Sequence, residues 1–141
     1  MAHIETSLAS LRIFGDEVDP AAITRLMGVQ PCRSSRKGDE VIGKVTGVKR
    51  IERTGSWTLK AEPRTPENLN GQIAELLDRL PNDLLMWKDL SQRFRVDLFC
   101  GIFMKESNEG MMISPQSLVL LGERFVTLSL DVYADMPKPQ H

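Results

Sequence analysis

Three stretches of this chain alternate apolar and polar side chains over eight or more residues, and any fold must satisfy that period of two. In residues 94–105, Phe94, Val96, Leu98, Cys100, Ile102 and Met104 share one face. Arg95, Asp97, Phe99, Gly101, Phe103 and Lys105 share the other. Residues 125–133 set Val126, Leu128, Leu130 and Val132 against Phe125, Thr127, Ser129, Asp131 and Tyr133, and residues 7–14 set Ala9, Leu11 and Ile13 against Ser10, Arg12 and Phe14. A shorter run over 55–61 opposes Trp57, Leu59 and Ala61 to Ser56, Thr58 and Lys60. Such runs are strands that bury one face only, so the sheet is expected to be covered on its aliphatic side and open on the other.

The cover comes from helices. Asp19-Pro20 and Ser114-Pro115 are cap-plus-proline starts, and Thr65-Pro66 reads the same way. Behind them lie apolar stripes: Ile23, Leu26 and Met27, stopped by Gly28; then Leu69, Ile73, Leu76, Leu77 and Leu80; then Leu118 and Leu121. Pro81-Asn82-Asp83 interrupts the second stripe, and a shorter helical piece through Leu84, Leu85 and Leu90 follows. Residues 30–40 read as a polar loop, and 41–51 as weak β broken by Gly43 and Gly47. The order of elements predicts an α+β domain over residues 1–134, with a mainly antiparallel sheet and its helices on one face. The plan resembles the split βαβ, ferredoxin-like arrangement extended by a further βα unit, followed by a polar tail at 135–141.

Composition narrows the function classes. A chain of 141 residues with 41% hydrophobic side chains can build a real core. A net charge of -1 argues against a general nucleic-acid binder, although eight of the basic residues fall between Arg33 and Lys60 against only Asp39, Glu40 and Glu52. No apolar run has the length of a membrane span, and MAHIETSL lacks the features of a secretory signal. Cys32 and Cys100 match no metal spacing and read as free thiols in a reducing, cytoplasmic setting. His3 and His141 stand at opposite ends, and no base is placed to activate either thiol, so the sequence assigns no catalytic residue, no cofactor and no metal.

Three groups of residues can nevertheless bind something. Arg33-Ser34-Ser35-Arg36-Lys37 offers cations and hydroxyls to a phosphate or carboxylate, with Arg33, Arg36 and Lys37 as its ligands; its alternative reading is a solvated loop whose cations pair with nearby acids. Trp57, in a basic strand, can stack on a ring or anchor the core. On the open face, Arg12 is expected to meet Asp97 or Asp131. That trio is a structural bridge, a ligand groove or, with two carboxylates of divergent pKa, an acid/base pair.

Several segments in order resemble a known bacterial family, the domain-of-unknown-function family 4279. They are Ser10-Leu-Arg-Ile-Phe-Gly-Asp-Glu-Val-Asp-Pro, Arg33-Ser-Ser-Arg-Lys-Gly-Asp, Gly55-Ser-Trp, Val96-Asp-Leu-Phe-Cys-Gly, Ile113-Ser-Pro and Leu128-Ser-Leu-Asp-Val-Tyr. The resemblance implies a small single-domain bacterial protein and carries over no catalytic residue. The leading expectation is therefore a non-enzymatic interaction module with a protein partner, of the neutralising kind or a second copy in a homo-oligomer. A small-anion-binding domain using the basic loop is the alternative, and an enzyme built on the paired aspartates comes third.

Overall fold

The computed structural model describes residues 3–134. Among these residues are four helices, each started by a side-chain cap. Asp19 accepts from the Ala21 amide to open α1 (Pro20–Met27), and Gly28 closes it at φ 75°, a left-handed conformation that costs glycine little. Asp83 caps α3 (Leu84–Arg93), and Ser114 caps α4 (Pro115–Glu123). Of the three expected proline starts, the one at Thr65-Pro66 fails: α2 (Leu69–Asp78) starts three residues beyond Pro66, and Asn68, accepting from the Gly71 amide, is its cap. Asparagine is at least as good a cap as the threonine expected at 65, and the Thr65 hydroxyl pairs instead with that of Thr6 at 2.8 Å.

Five strands form the main sheet in the order β2 (Arg33–Ser35), β5 (Gly55–Lys60), β1 (Thr6–Gly15), β6 (Arg95–Phe103), β7 (Thr127–Tyr133). All neighbours are antiparallel except β6 and β7, which are parallel and joined through α4. β3 (Glu40–Ile42) and β4 (Lys49–Ile51) pair separately as a small hairpin. The α+β class and mainly antiparallel sheet agree with the alternation pattern. β5 lies between β1 and β2, which α1 joins, and β1 lies between β5 and β6, which α2 and α3 join; α4 and β7 extend the sheet beyond β6.

All four helices contribute to one continuous core on the aliphatic face. Ala9, Leu11, Ile13, Trp57, Leu59, Val96, Leu98, Cys100 and Ile102 supply the sheet side, and residues such as Ile23, Met27, Leu69, Ile73, Leu76 and Leu90 the helical side. A buried polar clamp registers α2 on β1. Gln72 Nε2 donates to the carbonyls of Ser7 and Glu62, both at 2.9 Å. Ser7 Oγ donates to Gln72 Oε1 and accepts from the Asn68 amide. With every group partnered, burial carries no desolvation penalty left uncompensated.

Two apolar expectations fail at one end of the molecule. Leu118 is exposed, and Ser117 and Leu121 are the buried positions of α4. Leu130 and Val132 share the core face of the sheet through their register with Cys100 and Ile102, yet are 48% and 55% exposed. The cause is position: β7 is the edge strand, and the helical layer covers only its start, where Leu128 packs against the core. Residues 135–141, expected as a polar tail, lie outside the described residues.

Candidate functional site

The antiparallel register lines up one residue from each strand of the main sheet. Arg33 on β2 stands opposite Thr58 on β5, Thr58 opposite Arg12 on β1, Arg12 opposite Asp97 on β6, and Asp97 beside Thr127 on β7. Because side chains alternate, this row projects from the open face. The rows on either side contribute Lys60, Ser10, Phe99 and Ser129, and Ser35, Ser56, Phe14 and Arg95. Farther along come Gly101 with Asp131, then Phe103 with Tyr133.

At the centre, Arg12 and Asp97 form a two-pronged ion pair. Arg12 Nε donates to Asp97 Oδ1 at 2.9 Å, and Nη2 to Oδ2 at 2.7 Å. The side chains are 29% and 10% exposed, so the pair is shielded from water but not sealed off. Ser129 Oγ donates to Asp97 Oδ2 at 3.1 Å, giving the carboxylate a third partner. The guanidinium lies 4.2 Å from the Phe99 ring centre and 4.7 Å from that of Phe14, close enough for cation–π attraction from both.

Asp131 is not part of this pair. Its carboxylate accepts from the Tyr133 hydroxyl; that bond, with the carboxylate's charge, raises the tyrosine pKa. Asp97 and Asp131 are four residues apart along adjacent strand positions, a separation of about 13 Å. Carboxylates that share one scissile bond sit within about 10 Å, so the expected acid/base pair does not assemble.

Above this face runs a groove of about 630 Å³. Its lining includes Arg12, Phe14, Phe99, Phe103 and Tyr133, with Arg33, Ser56, Thr58 and Lys60 along the β2–β5 side. Phe103 and Tyr133 stack with centres 4.7 Å apart and planes 7° from parallel. The floor between Leu8 and Phe103 is Gly101, where a Cβ would meet the Phe103 ring at 3.1 Å. The charge balance of the groove is uneven. Arg12 is neutralised by Asp97, and Glu52 by Arg50 at 3.2 Å. Arg33 and Lys60 form no ion pair among the described residues.

The structure divides the basic loop instead of making it one anion cradle. Arg36 Nη2 donates to Asp19 Oδ1 at 2.7 Å, and Lys37 Nζ to Asp16 Oδ2 at 3.1 Å. These two cations tie the loop to the start of α1, and Lys37 in turn lowers the Asp16 pKa. Arg33 alone faces the groove. Trp57 is also removed from the candidates: it is fully buried, and its indole donates to Thr24 Oγ1 at 3.1 Å. Lys60, Phe99, Phe103 and Tyr133 were not singled out as ligands from sequence; the available signal was that each alternates onto the face carrying Arg12.

The family model described as Domain of unknown function (DUF4279) matches residues 4–135. The chain belongs to that family. The matched span takes in the whole open face of this DUF4279 domain, from β1 to the end of β7. No curated protein and no solved structure matches the chain. Among the described residues no helix is long and apolar enough to cross a membrane.

Proposed function

We propose that this DUF4279 domain is a non-enzymatic binding module whose open sheet face holds a small anionic ligand with a planar or apolar body. The observation that carries the reading is the pairing of two uncompensated cations, Arg33 and Lys60, with an aromatic floor in one groove. The volume falls within the range of small-molecule sites, and the mixture of apolar walls with a few convergent polar groups is what such sites use. The cations select charge, the rings provide stacking area, and Ser56 and Thr58 offer hydroxyls between them. Arg12 is held rigid by Asp97 and supports the floor through its contacts with Phe14 and Phe99.

Thermal-shift screening tests this with benzoate, indole-3-acetate and phenyl phosphate, and with benzylamine as the cationic control. A ligand at ten times its Kd adds about 1.4 kcal/mol, which is about 5 °C in Tm for a domain of this size. The anions are expected to raise Tm, benzylamine to leave it unchanged, and the double variant Arg33→Ser, Lys60→Ser to lose the response. Equal responses in the wild type and the double variant would refute the site. A second reading, a protein-binding module, is favoured by one observation: the β3–β4 hairpin exposes Ile42, Val45, Val48 and Ile51 together.

A further inference from the structure

The two edges of the main sheet are protected very differently. β2 is three residues long and leads into the β3–β4 hairpin, which limits what can pair with it. β7 is seven residues long, has among the described residues a neighbour on one side only, and contains no Lys, Arg, Pro or Gly. The one charge along it is Asp131, whose carboxylate is engaged by the Tyr133 hydroxyl on the open face.

The backbone direction along β7 is fixed by its bond to β6. The Tyr133 carbonyl accepts from the Met104 amide, so Tyr133 turns its main-chain groups toward β6. Because these groups alternate sides along a strand, Thr127, Ser129 and Asp131 do the same, and Leu128, Leu130 and Val132 turn theirs to the open edge. The same three residues carry aliphatic side chains on the helix-side face, two of them about half exposed.

We propose that β7 pairs antiparallel with β7 of a second copy of this chain, about a two-fold axis through Leu130. Leu130 is the midpoint of Thr127–Tyr133. With the axis there, Leu130 faces its own counterpart and Leu128 faces Val132 of the second copy. All three outward residues of each strand then exchange main-chain bonds, about six in total. The aliphatic side chains pair with one another on the helix side. On the open face Ser129 meets Asp131, so no like charges are directly opposed. Shifting the axis to either neighbouring outward residue leaves outward groups unpaired. A shift that matches an outward residue with an inward one makes no ladder at all. The two-fold axis stands perpendicular to the sheet and keeps both helical layers on one side. The result is one ten-stranded sheet with two open-face grooves side by side.

Sedimentation equilibrium of the full chain at about 50 μM is expected to give twice the 15.9 kDa chain mass; a single-chain mass would overturn the proposal. Leu130→Lys and Leu130→Glu each place like charges on the axis. Each should run as a single chain, with dissociation constants raised at least ~100-fold, while an equimolar mixture should recover the two-chain mass. Persistence of either variant as a dimer means that another surface associates, and failure of the mixture to recover means that Leu130 does not lie on the axis. Both results sink the proposal. If circular dichroism shows that these variants do not fold, Ser129→Cys and Asp131→Cys, each with Cys32→Ser, replace them. Mixed under mild oxidation they should crosslink with each other and neither with itself, because residue 129 faces residue 131 across the axis. Absence of that heterotypic crosslink overturns the pairing.

Discussion

Arg12 shows how one side chain can support a site without being its principal ligand. Its two hydrogen bonds to Asp97 and its two ring contacts leave a rigid cation in the floor of the groove. Arg12→Met strands a carboxylate that is only 10% exposed, and the remaining Ser129 hydroxyl does not replace the charge. Loss of a fully buried partner costs about 3–5 kcal/mol; the partial exposure of Arg12 lowers the expected loss to about 1–3 kcal/mol, read by urea denaturation. A loss below about 0.5 kcal/mol would mean that Asp97 is solvated without it. Cys100 makes a second prediction at this scale. Burial, with a smaller effect from the Asp97 charge, pushes its thiol pKa up from 9.0 to about 12. The folded state therefore resists ionisation. The resulting stability is fully present below pH 9 and is lost as pH rises from there toward 12. Stability should fall more steeply between pH 9 and 11 in the wild type than in Cys100→Ala. In the native protein a thiol reagent should modify exposed Cys32 and spare Cys100.

At the level of elements, legibility followed locality. The strands β1, β5 and β6 were readable because each is long enough for its alternation to show and each has its aliphatic face fully covered. β7 has the same alternation, but the pattern cannot say that the helical layer ends before it does. The consequence can be measured. Leu76 is fully buried in α2, and Leu76→Ala should cost about 2–5 kcal/mol through its cavity. Leu128 sits half-buried on the edge strand, so Leu128→Ala should cost less, about 1–2 kcal/mol in a single chain. Equal losses in chemical denaturation would show that β7 is covered in solution. β2 was missed because three residues, Arg-Ser-Ser, carry no period; pairing with β5 alone makes them a strand. The same pairing separates Arg33 from Arg36 and Lys37, which adjacency in sequence had grouped together. The row from Arg33 through Thr58 and Arg12 to Asp97 depends on registers between strands as much as 85 positions apart, and no local pattern encodes them.

For the whole molecule, the architecture separates stability from recognition. One face of the sheet is consumed by four helices and holds both tryptophans. The other is left as a semi-polar floor with aromatic rings, a neutralised Arg–Asp pair and two cations that form no ion pair among the described residues. An antiparallel sheet tolerates a solvated face, but it does not require four aromatic side chains there, and their convergence beside Arg33 and Lys60 is what a ligand would use. The most direct measurement is a titration of the ¹⁵N-labelled chain with indole-3-acetate, followed by amide shifts. The largest changes are expected to map to β5, the centre of β1 and β6 around Arg12 and Phe99, and Arg33. They should be absent in the Arg33→Ser, Lys60→Ser variant. Changes confined to the Arg36–Lys37 loop or the helical layer, or no changes at millimolar ligand, would contradict the proposed site.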